Sequence, residues 1–512
     1  MDWLVTILNF IGQQILNVPA YLIGIITAVG LIALRRNSGQ VVGGALKAAL
    51  GFLILGAGAT VVTNSLDPLG TLILAVTGAQ GVIPTNEVIT AIAQEDFGAQ
   101  SAYVLTLGFL VMLLLARFTP LKYVFLTGHH MVFMATMLTV VLSVGLGDGL
   151  SWLVVLIGAF LLGVVMVVMP AFVHPWTKKV TGNDTIAIGH FGTLGYIAAG
   201  AAGQAVGRRS KSTEDIKFPQ GLRFLRDSMV ATALSMVLIY LVFSIWGLIS
   251  LPRDEALAIF DVADAGAFIM AGFGLALQFG VGVAIILYGV RTVLGELVPA
   301  FQGIANKVVP GAKAALDIPI VFPFGQNAVL IGFLSSFAGG LVALGLLAVW
   351  LNPVFGLALI LPGMVPHFFT GGGAGVYGNA TGGRRGAVAG GFINGVIITI
   401  LPAILLQVLG EFGFANSTFG DADFGWFGTI VGLSLRTGTA GGIVLTVLIA
   451  LVLVVAASIY QRKVVDTGWV PGAKRDKWLE EEKAAEKAQA DAAKAAAKEA
   501  ADKKTTDKEK DA

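Results

Sequence analysis

Apolar runs of about 20 residues recur along this chain, and charge is almost absent between them. Runs of that length match the hydrocarbon thickness of a bilayer. Lipid offers no hydrogen bonds, so such a chain is confined to folds that satisfy their own backbone. Of the 64 Lys, Arg, Asp and Glu residues, 25 follow Tyr460. The preceding part is only about 8% charged, against about 25% in a soluble chain. The mean hydropathy is +0.84. These features predict an all-α polytopic membrane protein.

Apolar runs set against charged flanks predict about eleven spans, near 18–34, 41–63, 101–116, 129–147, 151–175, 228–250, 266–290, 327–350, 354–380, 386–409 and 432–460. Arg35-Arg36, Arg117 with Lys122, Lys178-Lys179, Arg208 to Lys211, Arg291, Arg384-Arg385 and Arg462-Lys463 fall on one side. Asp67, Glu95-Asp96, Asp148, Arg253-Asp254-Glu255, Glu411, Asp421 and Asp423 fall on the other. The positive-inside rule then puts the N-terminus outside and the C-terminus in the cytoplasm. Met1 to Ala20 lacks a basic stretch, so no cleaved signal peptide is expected. The membrane-embedded domain is read as 1–463, and 464–512 as a charged Ala, Lys and Glu-rich tail that cannot bury a core, disordered or transiently helical. No basic stripe suggests nucleic acid.

Three apolar regions do not read as simple spans. Ala79 to Gln100, Asn183 to Gln204 and Gly311 to Asn327 carry Pro, Gly and acids. They are expected to be re-entrant hairpins, since broken helices form substrate sites in transporters. Val124 to His130 weakly echoes Val321 to Asn327, a hint of repeated halves. The glycines from Gly371 to Gly383 suggest close helix packing or a hinge, because they lack the ending of a phosphate-binding loop.

Titratable groups at membrane depth are costly unless paired or used. His129 and His190 each follow a glycine at the head of, or inside, a broken segment. A neutral imidazole can donate to and accept from hydroxyls, which suits a polyhydroxylated solute. A structural polar network, a proton relay or a metal site are the other readings. His129, His190 and Asp317 could supply three ligands, but their spacing follows no metal pattern, so no metal is expected. Asp317 is either an acceptor for hydroxyls or, if its segment is helical, the partner of Lys313. Glu87 has the same two readings. His174 reads as interfacial, and His367 as structural or cavity-lining. With no Cys, the chain has no thiol nucleophile or thiolate metal site.

Leu34-Arg35-Arg36, Gly51-Phe52 with Gly56-Ala57-Gly58, Leu126-Thr127-Gly128-His129 and Ile188-Gly189-His190 occur in a characteristic order. Gly289-Val290-Arg291, Glu296-Leu297 with Ala300-Phe301 and Gly303-Ile304, Pro310-Gly311-Ala312 with Asp317, and Asn327-Ala328-Val329 continue it. In these residues the chain resembles the membrane-spanning IIC component of the ascorbate-type phosphotransferase system, a bacterial permease family. The similarity runs from about Ile25 to about Arg462 and leaves out the tail.

The resemblance implies eleven spans, a homodimer, and a division into a substrate-holding core domain and a dimerisation domain. It implies an elevator-like delivery of L-ascorbate across the inner membrane. It also implies phosphorylation by a separate IIB phosphocysteine protein, recharged through IIA, HPr and enzyme I. The permease would be non-catalytic, without cofactor or phosphorylation site of its own. The family's ascorbate contacts map to Asn86 and Glu87, to His129, His130 and Phe133, to His190 and Phe191, and to Asp317. Familiar members have Thr-Tyr in place of Asn86-Glu87, and Gln in place of Phe133 and of Phe191. Either Asn86, Glu87 and His130 compensate, or the solute is a related sugar or sugar acid, its ring packed on Phe133 and Phe191. The rival reading is a cation-coupled secondary transporter for a small polar solute, using Asp317 or Glu87. A membrane-embedded enzyme lacks a nucleophile or metal set, and the buried polar groups argue against a scaffold without transport.

Overall fold

The computed structural model describes residues 18–147, 151–184, 186–216, 228–410 and 416–510. Among these residues, eight helices are long and apolar enough to cross a membrane, and two shorter apolar ones accompany them. Large apolar side chains such as Val29, Leu50, Val281 and Val452 point outward from these helices. Lipid-facing helices expose such side chains, because a bilayer is as apolar as they are.

The order of elements repeats. The first half runs α1 (Pro19–Ala33), α2 (Ser38–Thr77), β1 (Gly81–Pro84), α3 (Asn86–Phe118) and β2 (Tyr123–Phe125). It continues through α4 (Gly128–Leu146), α5 (Ser151–Thr181), β3 (Ile186–Ile188) and the short α6 (Thr193–Val206). The second half runs α7 (Ser228–Ser250), α8 (Ala265–Val308), β4 (Lys313–Leu316), α9 (Gln326–Leu346) and β5 (Leu359–Ile360). It ends with α10 (Gly372–Leu405), β6 (Ser417–Thr418) and the short α11 (Ala422–Leu435). Helix α12 (Thr439–Tyr460) stands outside the repeat, and α13 (Ala473–Lys510) is the tail.

The long helices and the strands of the two halves agree once α10 is divided. Gly383 sits at φ 57° and ψ −149°, which is not helical. A Cβ on Gly378 would strike the carbonyl of Gly386, although residues so spaced lie about 12 Å apart along a continuous helix. The chain therefore reverses at Gly383, and arms 372–382 and 384–405 correspond to α4 and α5. Each half then has five apolar helical segments and, with α12, the described residues hold eleven. An odd number per half means that the two halves cross in opposite senses, as in inverted-repeat transporters.

Strands join the halves. One parallel sheet has the order β5-β1-β6 and the other β2-β4-β3. The first strand of each half is central, and both of its neighbours come from the other half. Neither half can complete a sheet alone. The three irregular segments are thus strand-to-helix turns, and pairing satisfies the backbone groups that a broken helix frees. The echo of Val124 to His130 in Val321 to Asn327 is not the repeat: Val124 is in β2, whose counterpart is β5, while Val321 follows β4 in a 3-10 turn, Ile318–Phe324.

Small residues let the second half close. Helix α9 packs against both arms of α10, and α6 against α10. Gly332 faces Gly375 and Gly391, and Gly203 faces Gly382, so closely that any Cβ would meet backbone. Between these helices Ser336 Oγ lies 2.8 Å from His367 Nδ1, and Asn394 Nδ2 donates to Thr370 Oγ1 at 3.0 Å. His367 belongs to this interior network. The tail begins docked: Arg475 Nε donates to the Ser210 carbonyl at 2.9 Å, and Lys211 pairs with Glu482 at 3.1 Å.

Candidate functional site

All six strands lead into a helix or helical turn, and all six junctions reach one cavity of about 650 Å³. The junction after β1 contributes Asn86 and Glu87, that after β2 His129, His130 and Phe133, and that after β3 His190. Asp317 and Pro319 follow β4, Val365 and Pro366 follow β5, and Asp421 follows β6. The facing wall comes from α8 and is largely apolar, with Val283, Leu287, Val290 and Leu294 beside Tyr288 and Arg291.

The polar wall centres on Asp317. His129 Nε2 lies 3.4 Å from Asp317 Oδ2, and His190 Nε2 lies 4.0 Å from Oδ1. The first is at the limit of a hydrogen bond and the second beyond it, so neither imidazole is firmly paired with the carboxylate and a solute hydroxyl beside them can bridge the two. Asp317 is held from behind, because Oδ1 accepts from Ile318 N–H at 2.7 Å and caps the following turn.

The backbone selects the tautomer of His190. Its Nδ1 accepts from Gly192 N–H at 3.0 Å and lies 2.9 Å from the Tyr196 hydroxyl. A nitrogen that accepts from an amide carries no proton, so in the neutral ring the proton is on Nε2. That N–H faces Asp317 and the cavity. The His130 ring is packed between its neighbours, with centroids 3.8 Å from His190 and 4.7 Å from His129.

Two carboxylates fix the wall from the far end of the chain. Asp421 Oδ2 accepts from Asn86 Nδ2 at 2.9 Å, and Asn86 Oδ1 accepts from Gly420 N–H at 2.8 Å. Asp423 accepts from Thr193 N–H at 2.8 Å, Leu194 N–H at 3.0 Å and Trp426 Nε1–H at 2.9 Å. It thereby caps α6 from outside that helix, while its own N–H donates to the Phe191 carbonyl at 2.8 Å. Sequence reading placed Asp421 and Asp423 among solvent-facing loop acids; both are buried. No local pattern marks them out, since Asn86, Thr193 and Leu194 lie hundreds of residues away. Arg291, read as a flanking loop charge, lines the cavity.

Seven of the eight residues singled out from the sequence line the cavity: Asn86, Glu87, His129, His130, Phe133, His190 and Asp317. Phe191 does not. Its ring is fully buried behind the wall, stacked on Phe125 at 4.8 Å and edge-on to Phe424 at 5.5 Å. The Lys313–Asp317 pairing is also not formed. Residues 313–316 are a strand, where positions four apart are separated by about 13 Å. Lys313 instead lies 3.1 Å from Asp184 Oδ2 and 2.8 Å from His174 Nε2. His174 is accordingly buried in this cluster and not at an interface. Burial raises the Asp184 carboxyl, but its bonds to His174 and Lys313 outweigh that and hold it at about 2.

Two sets of metal-ligating side chains converge here: His129, His130 and Asp317, and His130, His190 and Asp421. Within each set the donor atoms all lie within 4.8 Å of one another. Spaced donors and acceptors opposite an apolar face suit a hydroxylated solute with an apolar side.

The inverted halves and the shared polar cavity define a polytopic membrane permease. Residues 14–423 match the sequence model of the sugar-specific permease component of the phosphotransferase system. The chain belongs to that family. It is also similar to the ascorbate-specific phosphotransferase EIIC component of Mycoplasma pneumoniae, at 30% identity over 441 residues. The match covers 78% of this chain and 66% of that relative's length.

Proposed function

We propose that this protein binds L-ascorbate, or a related sugar acid, outside the cell and carries it across a bacterial inner membrane for phosphorylation by a separate IIB phosphocysteine protein. One observation carries the reading: two imidazoles flank the Asp317 carboxylate at distances too long for firm pairing, which leaves these groups able to bind a hydroxyl. His190 Nε2–H donates to the solute, Asp317 accepts, and Phe133 packs on the ring. The similarity to an ascorbate-specific relative supports the choice of solute. Phe133 and Phe191, where familiar members have amides, leave a related sugar acid open.

The site would move as a unit. Its polar side is made of junctions tied together by the two exchanged sheets, and the facing α8 wall is largely apolar and packs on α2. A core sliding along such a wall with its solute is an elevator. Helices α2 and α8 would belong to the stationary domain that also forms a homodimer. With the N-terminus outside and the C-terminus cytoplasmic, the solute would reach IIB and its IIA donor inside. The chain itself would have no phosphorylation site.

Uptake of labelled ascorbate with and without the cognate IIB tests this. Phosphorylated solute should accumulate only when IIB is present. Free solute accumulating without IIB would overturn the reading. The unpartnered Oε2 of Glu87 favours one second reading, a cation-coupled carrier, in which an uncoupler would abolish uptake.

A further inference from the structure

One part of the cavity wall offers acceptors without donors. Asp421 is 2% exposed and accepts from Asn86, whose own oxygen is taken by Gly420 N–H. Next to Asn86, Glu87 is 9% exposed and its Oε2 has no hydrogen-bond partner. His130 Nδ1 lies 3.9 Å from Asp421 Oδ2, out of hydrogen-bond reach, and Phe191 N–H approaches that same nitrogen at 3.5 Å. The imidazole therefore supplies Asp421 with no proton. A buried carboxylate oxygen without a donor is costly, and the cost is relieved by a ligand that brings one. The imidazoles lie between this acceptor group and Asp317, so the two ends of the wall can address different parts of one solute.

We propose that Glu87 and Asp421 form a second subsite, which takes the vicinal hydroxyls of the solute's tail and turns away a second anionic group. The inference rests on the sugar-acid reading above. The ring's acidic end would then lie against His129, His190 and Asp317, and the tail's hydroxyls would donate to Glu87 Oε2 and Asp421. Placing a phosphate or carboxylate there would crowd a further acidic group against two buried carboxyls, whereas hydroxyls bring neutral donors. A site built around such hydrogen bonds rejects analogues that lack them. Asp421 becomes a specificity-determining residue, and Glu87 sets the charge that the tail can carry.

The test measures binding of three solutes to the full chain in nanodiscs: L-ascorbate, its 5,6-O-isopropylidene derivative with the diol masked, and a 6-phosphate ester. Wild type should bind the masked compound at least tenfold more weakly than ascorbate, and the phosphate ester not measurably. Glu87→Gln, nearly isosteric, should admit the phosphate ester. Asp421→Asn should weaken ascorbate about tenfold and leave the masked compound unchanged, with thermal unfolding confirming that both variants are folded. Equal binding of all three solutes by wild type, or unchanged discrimination in Glu87→Gln, would overturn the subsite. If wild type binds none of the three, the ascorbate reading falls and the subsite is judged on neutral hexitols against their 6-phosphates. Rejection of only the phosphates would support it; equal binding of both, or binding of neither, would overturn it.

Discussion

The two halves of the molecule share one backbone plan and carry different chemistry. Each sends three strand-to-helix junctions to the cavity. Those of the first half bring Asn86, Glu87 and the three imidazoles; those of the second bring Asp317, Asp421 and, at the β5 junction, the apolar Val365, Pro366 and Phe369. The halves also close differently. Arms α4 and α5 are separate helices on either side of residues 148–150, whereas the arms of α10 are joined at the single residue Gly383 and packed glycine on glycine. The architecture belongs to the backbone and its small residues. The chemistry belongs to a few side chains at the tips, and it need not obey the symmetry that places them.

The largest effect is expected at the tips. His190→Ala removes the donor that faces Asp317 and leaves the packing of β3 intact. A lost hydrogen bond to a charged group costs about 1.5–3 kcal/mol, so binding of labelled ascorbate should fall roughly 10- to 150-fold. The protein should still reach the membrane; unchanged affinity would remove His190 from the site. At the closures, Gly383→Ala forces a Cβ into a conformation essentially restricted to glycine and against the carbonyls of Ser210 and Lys211. The strain is worth about 1–3 kcal/mol, visible as a lower thermal midpoint. Gly147→Ala, at the matching position of the first half, carries the same kind of backbone strain at φ 75° and ψ 174° but meets no atom within 4 Å, so it should cost less. Equal losses would mean that the two closures are not mechanically different.

Hydropathy made the apolar spans legible, because each run of side chains reports its own environment. The six strands were not, since elements of two to four residues are too short to show an alternation and their partners lie in the opposite half. The same distance hid Asp421 and Asp423. A carboxylate between glycine and alanine looks like a loop acid until Asn86, 335 residues earlier, is brought to it. His129, His190 and Asp317 could be found because a titratable group inside an apolar run is anomalous by itself. Phe191 was misplaced for the converse reason: a phenyl ring fits a wall as well as a core, and only packing decides.

Asp423 tests whether the halves depend on each other at the site. It touches no cavity space, yet it holds Thr193 and Leu194, and through them the turn that presents His190. Asp423→Asn keeps the volume but swaps a two-armed acceptor for one with a single oxygen. Losing one such bond should weaken binding by about tenfold, ~1.4 kcal/mol, less than His190→Ala. The maximal transport rate should change less than the concentration for half-saturation, because the solute's own contacts remain. A double variant of Asp423→Asn with His190→Ala no weaker than His190→Ala alone would show that Asp423 acts through that histidine. Additive losses would sever the link.

The smallest effect is expected at Asp184, which ties the end of α5 to β4 through His174 and Lys313. Its folded-state pKa, about 2, lies below the ordinary carboxyl value of 3.8. A depressed carboxyl stabilises the fold fully above its unfolded pKa and loses that contribution as pH falls through the folded one. The contribution is therefore present at neutral pH and disappears between about 3.8 and about 2. Asp184 is 54% exposed, so solvent screening keeps the pairs weak, on the order of 1 kcal/mol or less. Asp184→Asn should lower the thermal midpoint slightly at pH 7 and much less near pH 2. A loss comparable to that of Gly383→Ala would mean that β4, and with it Asp317, is anchored mainly from this cluster and not by the strands of the opposite half.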